Sequence, residues 1–377
     1  MKPGSDWFRR FLLPGLAFKA VVIGGGYATG RELANFFLPS GPRGGVFGML
    51  LAAAVWSLVC VLTFVFAART GSRDYRAFFG ALLGPFWVVF ELAYVLALMV
   101  TLAVFAAASG AIGTALFGWP PEVGAVALMA SIAGVVMFGA RSVEALFKYV
   151  SIFLYAVYAC FLVLSLRAFG GGVAHAFATD GPAKGWVGGG LTYAGYNAIG
   201  AVVVLPMLRH IRSDRDAVVA GLLAGPLAML PAILFFIAMA AFYPAIGSVS
   251  LPSDFLLTRL NLPAFRYVFQ AMMFAALLES GAGGLHAINE RAADAWKTRR
   301  GSPLPPWGRL ALSATILVLS VVVAVKIGLI QLIARGYSLL AIVFLLVFLA
   351  PLLTLGVWRI VRPGRSAAAW AAKAPEL

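Results

Sequence analysis

Apolar residues run along the chain in blocks of about 20, the length an α-helix needs to cross bilayer hydrocarbon. Short polar or glycine- and proline-rich breaks separate the blocks. The pattern predicts ten transmembrane helices over roughly 11–38, 44–69, 83–117, 121–140, 144–167, 186–209, 216–242, 262–297, 309–333 and 336–359. Residues 168–185 and 243–261 form the longest connectors. Residues 361–377 read as a disordered cytoplasmic tail after a single transmembrane domain of residues 1–360. The fold class is an all-α polytopic membrane protein. Arg9 and Arg10 precede the first block as in a signal peptide, but no cleavage site follows, so the block reads as a retained helix.

The first block contains its own interruption. VVIGGGYATGRELANFF, residues 21–37, carries Gly24, Gly25 and Gly26 in a row. Each helix-interior glycine costs roughly 1 kcal/mol against alanine, so three together open the hydrogen-bond ladder. In lipid an open ladder survives only where protein or water covers the freed amides and carbonyls. The sixth block has a matching cluster, Gly188 to Gly190 with Gly195 and Gly200, and the third and eighth blocks are both unusually long. Five blocks per half (about 11–167 and 186–359) place the second half inverted relative to the first. Interrupted helices at corresponding positions of inverted halves point to a transport site near the bilayer midplane. Glycine is also common in membrane helices generally.

Composition sharpens this reading without changing it. Hydrophobic residues make up 62% of the 377 and charged residues 11%, with mean hydropathy +0.95. The net charge of +15 raises the question of nucleic acid. The distribution of basic residues answers it: 20 of the 29 lysines and arginines fall on one side of the ten blocks and six on the other. That bias marks cytoplasmic loops, puts both termini in the cytoplasm and leaves no nucleic-acid partner to invoke. Cys60 and Cys160 lie inside apolar blocks and read as packing residues. Three scattered histidines give no metal spacing, and no Walker sequence is present, which excludes an ATP-driven pump within this chain.

The segment GGGYATGRELANFF followed by SGPRGGVFG resembles the start of the YkvI-type bacterial membrane proteins of the amino acid–polyamine–organocation superfamily. Tyr193-Ala194-Gly195-Tyr196-Asn197 is similar to that family's sixth-span pattern. The resemblance implies a LeuT-type fold of five plus five inverted helices in the bacterial cytoplasmic membrane. It also implies alternating access, with a small-molecule substrate held between the breaks of spans one and six. Gly24, Gly25, Gly26, Ala28 and Thr29 would line one side of that site, and Tyr193, Gly195, Tyr196 and Asn197 the other.

Thr29 and Glu32 spell a capping box, Thr-x-x-Glu, for the half-helix that restarts after the break, and this structural role is preferred for Glu32 over direct substrate binding. The restarted helix would still present free amides near Gly26 to Ala28, where a substrate carboxylate fits. Arg31 is expected to point to the outer vestibule or to snorkel. Asn197 is placed to cap the second half of span six.

Glu279 stands near mid-membrane in span eight on a face of small residues, and an intramembrane acid is a functional candidate by default. In the LeuT-type fold that position supplies two hydroxyls to a sodium site, whereas Glu279-Ser280 keeps only one. The carboxylate can bind sodium, carry a coupling proton or form a structural ion pair. Lys19, nine residues beyond Arg10 and about 13 Å into the helix, is the partner expected to approach Glu279 as a built-in cation. Glu91 is expected to make a structural polar contact, His210 and His286 read as solvated in preference to proton relays, and His175 lies in an outer connector.

The leading expectation is a secondary active transporter of a small organic solute (an amino acid or related amine), coupled to protons or sodium and needing no other cofactor. A channel and a non-transporting receptor or assembly protein are the alternatives. An enzyme would need clustered His, Asp or Cys near one interface, and the sequence has none.

Overall fold

The apolar blocks fold as helices throughout the computed structural model, which describes residues 6–22, 27, 29–137 and 140–361. Among the described residues there is no β-strand. The first span is two pieces, α1 (Leu13–Val22) and α2 (Arg31–Phe36). Span two is α3 (Gly41–Thr70), followed by a short connector helix α4 (Tyr75–Leu83). Spans three, four and five are α5 (Trp87–Phe117), α6 (Pro121–Met137) and α7 (Ala140–Thr179). Span six is again two pieces, α8 (Trp186–Asn197) and α9 (Gly200–Val203). Span seven is α10 (Asp214–Ala240), and the connector after it holds α11 (Pro252–Arg259). Spans eight, nine and ten are α12 (Pro263–Arg300), α13 (Pro306–Ile327) and α14 (Leu329–Val361). Among the described residues, seven helical stretches are long and apolar enough to cross a bilayer and Pro121–Met137 is a shorter apolar helix. The interrupted spans one and six complete the ten.

Element ends follow local chemistry. Asp74 caps α4 by accepting from the Ala77 amide at 2.8 Å, and Ser213 caps α10 by accepting from the Asp216 amide at 3.2 Å. Span five runs twelve residues past its expected end at 167, to Thr179. The added turns are held by packing: Phe169 stacks edge-on against Phe242, and Gly172 lies against Ala241. The connector expected at 168–185 is correspondingly short. The π-helical stretches Leu332–Tyr337, Leu345–Leu349 and Leu352–Gly356 widen α14, a feature that often marks functional sites.

Small residues set the core. In α10, Ala217, Ala220, Gly221, Ala224, Gly225 and Ala228 are buried and form a small-residue face. A Cβ on Gly221 would meet the Val61 backbone at 2.5 Å, and one on Gly225 would collide with the Ala53 carbonyl of α3. Backbones that approach this closely gain dispersion contacts, which drive helix association in lipid. Span seven also packs on span one, with Gly15 against Ala224, and span six packs on span two, with Gly190 against Gly48. Span nine contacts span three as span four contacts span eight. Exchanging the two halves leaves this contact pattern unchanged, as an inverted repeat requires.

Charges gather at the two ends of the bundle. Arg10–Asp216 (2.5 Å), Arg69–Asp214 (2.6 Å), Arg212–Asp6 (3.0 Å), Arg291–Glu91 (3.1 Å) and Arg309–Glu290 (2.8 Å) tie helices together at one end. Arg69 also donates to the Ile360 carbonyl. Their basic members are all among the residues that the charge bias groups on one side. At the opposite end the Arg43 amide donates to Asp180 at 2.6 Å and Arg266 pairs with Asp254 at 2.7 Å.

Gly225→Val is expected to cost about 1–3 kcal/mol by overpacking. It should lower the unfolding temperature of the detergent-solubilised protein and broaden its size-exclusion peak. Gly188→Val, at a position with open space around it, should behave like the parent.

Candidate functional site

The restart of the first span is built by Gly30. Its φ of +76° is in the left-handed region that glycine adopts without strain, and a Cβ there would stand 2.7 Å from the Phe235 ring. The Gly30 amide donates to the Tyr27 carbonyl at 3.0 Å, and Thr29 Oγ1 accepts from the Arg31 amide at 3.0 Å. Thr29 thus serves the first turn, but the capping box expected of Thr29 and Glu32 does not close. The helix starts at Gly30, one residue later than that motif needs, and the Glu32 carboxylate turns across the gap to span six instead. Gly24, Gly25, Gly26 and Ala28, expected to line the site, lie outside the described residues.

Arg31 differs most from expectation. It neither snorkels nor points to open vestibule: it is 4% exposed, and its Nη1 donates to the carbonyls of Gly247 and Val249 at 2.8 Å each. The Ser253 amide of α11 donates to the Thr29 carbonyl at 3.0 Å. The half-helix α2 is therefore pinned to the connector between spans seven and eight.

In span six the interruption falls at Ala198 and Ile199, not at the glycine cluster. Gly188, Gly189 and Gly190 lie inside the regular helix α8, where the last two allow close approach to the Phe36 and Gly48 carbonyls. Small size was needed for packing there, not for breaking the ladder. Gly195 likewise lies against Ala341 of span ten. Asn197 does not cap α9; its Nδ2 donates back to the Tyr193 carbonyl at 3.1 Å and so finishes α8. The Trp56 Nε1–H of span two donates to the Ala194 carbonyl at 3.2 Å, fixing α8 just before the break.

The two breaks meet through side chains. The Tyr196 hydroxyl donates to Glu32 Oε2 at 2.5 Å, and Glu32 is 4% exposed. Tyr196 stacks on Tyr337 of span ten (centroids 4.5 Å apart, planes 26°) and lies 5.7 Å from Phe36. Tyr193 packs on Phe37 and Trp56, while Tyr27 faces Tyr158 of span five at 6.1 Å. The buried Tyr193 hydroxyl has no hydrogen-bond partner among the described residues, while the Tyr27 and Tyr158 hydroxyls interact with each other. Buried polar groups are normally satisfied, so the orphaned Tyr193 hydroxyl, within electrostatic range of Glu32, marks a place where something else can bind. Tyr27, Tyr158 and Tyr337 were missed by sequence reasoning. Tyr27 directly follows the triglycine and was legible; Tyr158 and Tyr337 sit in helices whose facing only the fold reveals.

The pair expected between Lys19 and Glu279 is not a direct one. The Lys19 ammonium lies 4.7 Å from the centre of the Tyr155 ring, and Tyr155 lies within electrostatic range of Glu279. Glu279 is 8% exposed and Ser280 half-buried. Glu279 projects away from the face that Gly281 presents to Leu102 and Ile132, since two residues turn a helix by roughly 200°. Glu91 makes the structural contact expected of it: Arg291 binds it at 3.1 Å while lying flat between Tyr75 and Tyr94, with centroids at 4.1 and 3.9 Å. His210 accepts from the neighbouring Arg209 at 3.2 Å.

No protein-family model and no curated protein sequence matches the chain. Solved structures do. MhsT in complex with L-phenylalanine matches with a TM-score of 0.56 and 18% identity over 92% of this chain and 96% of that one. A manganese transporter of Eremococcus coleocola, in complex with an aromatic bis-isothiourea-substituted compound, matches with a TM-score of 0.54 and 20% identity over 93% and 79%. A substrate-bound, outward-open Na+-coupled sialic acid symporter matches with a TM-score of 0.60 and 15% identity over 95% and 82%. These likenesses establish the LeuT-type fold for this chain.

Arg31→Ala should free the connector carbonyls it binds. The expected loss is about 1.5–3 kcal/mol, as for hydrogen bonds to a charged donor. Hydrogen exchange should rise over residues 245–253 while the amides of α3 and α10 stay protected.

Proposed function

We propose that this chain is a secondary active transporter that moves a small organic solute, an amino acid or related amine, by alternating access. The observation that carries this reading is the junction of two interrupted helices, one in each half, through the Tyr196–Glu32 hydrogen bond. Breaks at corresponding positions of inverted halves are where transporters of this architecture hold their cargo. The chemistry around the junction suits an amine: one buried carboxylate, aromatic faces that attract cations, and the Tyr193 hydroxyl with spare capacity. On this reading the substrate contacts Tyr193, Gly195, Tyr196 and Asn197 on one side, and Gly24, Gly25, Gly26, Ala28 and Thr29 on the other. Among the proteins of similar fold, one is in complex with L-phenylalanine and another is a sialic acid symporter.

Lys19, Glu279 and Ser280 are proposed as the cation locus of the same machine. On this reading the Lys19 ammonium, held over Tyr155, serves as a built-in cation in place of sodium. The chain is proposed to sit in a bacterial cytoplasmic membrane with both termini inside, in keeping with its basic end.

A thermal-shift screen of amino acids and amines, followed by counterflow in proteoliposomes, tests this reading. The expected result is a saturable stabilisation by one solute class, since a ligand selective for the native state raises stability by mass action. That solute should also show trans-stimulated uptake without sodium. Non-saturable, ion-like conductance would sink the transporter reading, and a strict sodium requirement would sink the role given to Lys19.

A further inference from the structure

We propose that Glu32 is a neutralisable gate charge, occupied in turn by a proton or by the ammonium of a cationic amine, so that the transporter exchanges one for the other. The inference rests on the transporter reading above and narrows its substrate class.

The surroundings of Glu32 carry the argument. It sits on α2, against which pack α8, the stretches Leu38–Ser40 and Ala245–Ser248, α10 and the π stretch Leu332–Tyr337. From α8 it faces Tyr193 and Tyr196, and from span ten Tyr337; Tyr27 of its own span is also within electrostatic range. Phe235 of α10 closes over the adjacent Gly30, and the ionisable groups of α10 lie at that helix's far end. The stretches Leu38–Ser40 and Ala245–Ser248 hold no ionisable side chain. Arg31, next in sequence, is committed to the Gly247 and Val249 carbonyls, and Arg335 is exposed. Among the described residues no cation lies within ion-pair distance of Glu32, while other acids along the chain do have arginine partners.

A buried carboxylate anion with only hydroxyls and rings for neighbours is costly to enclose. The closed arrangement of the two breaks is therefore favoured when something cancels the charge. A proton does so by converting the anion to the neutral acid. An amine cation does so by ion pairing, with tyrosine faces around it for the rest of its charge. Both cannot occupy the carboxylate together, and with neither bound closure is disfavoured. Each closure with an amine therefore requires the proton to leave Glu32 for water on the side where the amine enters, and the return closure takes a proton up on the other side. A zwitterion would neutralise Glu32 but bring a second carboxylate, for which the described shell offers no positive side chain.

The probes are phenylethylamine, its trimethylammonium analogue, whose charge cannot be lost, and L-phenylalanine, which differs by one carboxylate. Calorimetric titration of the purified full chain, in buffers of different ionisation enthalpy, reads the protons released on binding. Each cation should release about one proton below the Glu32 titration, and its Kd should tighten about tenfold per pH unit there, levelling off above it. L-phenylalanine should bind at least tenfold more weakly. Glu32→Gln should keep the parent unfolding temperature but lose the proton release and the pH dependence. Tyr196→Phe should keep the proton release, which separates the carboxyl's role from that of its hydrogen-bond donor. In proteoliposomes containing a pH-sensitive dye, an inward gradient of the trimethylammonium probe should drive protons out. Cation binding without proton release, or proton release retained in Glu32→Gln, overturns the inference. Tight binding and counterflow of L-phenylalanine without proton movement overturns it and leaves the transporter reading standing. Failure of all three probes to bind overturns the inference, and the transporter reading falls with it only if the wider solute screen also finds no ligand.

Discussion

Inside a bilayer no water is available to satisfy a free amide or carbonyl, and this constraint organises the whole molecule. The first span restarts at Gly30 and the sixth is interrupted at Ala198 and Ile199, and interruptions of this kind leave backbone groups that lipid cannot serve. The remaining spans act as the missing solvent. Trp56 of span two donates to the last turn before the sixth-span break, and Asn197 folds its amide back on the same turn. The connector after span seven receives Arg31 and donates to the Thr29 carbonyl at the first-span restart. The site is thus a by-product of cover: the side chains that shield two breaks also enclose one carboxylate and five tyrosines.

Much of this was legible from the pattern of residues. Ten apolar blocks became ten spans, and the two blocks with glycine clusters are the two that break. Two features went astray because they depend on a partner surface. Gly188 to Gly190 read as a break, but a glycine that opens a ladder and a glycine that admits a neighbouring carbonyl are the same letter; only the approach of Phe36 and Gly48 distinguishes them. Glu32 read as a cap from the spacing Thr-x-x-Glu. Moving the helix start by one residue, to a glycine with positive φ, removed the geometry and released the carboxylate toward Tyr196. The contact expected between Lys19 and Glu279 does not form, because the ammonium lies over Tyr155, which projects from a third helix that the two sequence segments do not contain. Tyr337 was invisible for another reason. A widened turn ends on it, and a 3.6-residue periodicity cannot forecast which way that turn faces.

The distribution of charge repeats the division between scaffold and site. Arg10, Arg69 and Arg291 at the basic end have acids within reach, and Arg291 is additionally held between two tyrosine rings. Within the central cluster the arrangement reverses: Glu32 has hydroxyl and ring neighbours, and its nearest arginine is engaged with backbone carbonyls. The same residue types are used to fix helices at the rim and to leave electrostatic demand unmet at the centre.

The interleaved packing of the halves has a consequence for how the chain is made. Span one rests on span seven and span six on span two, with glycines at each contact. Spans three and four cover each other's glycines within the first half, but the small-residue faces of spans two and seven meet across the halves. Within the first five helices, the span-two face that meets span seven has no such partner. That partner is α10, whose alanine and glycine face fits against α3. A chain truncated before α10 lacks the partner surfaces on which both the first span and its break depend.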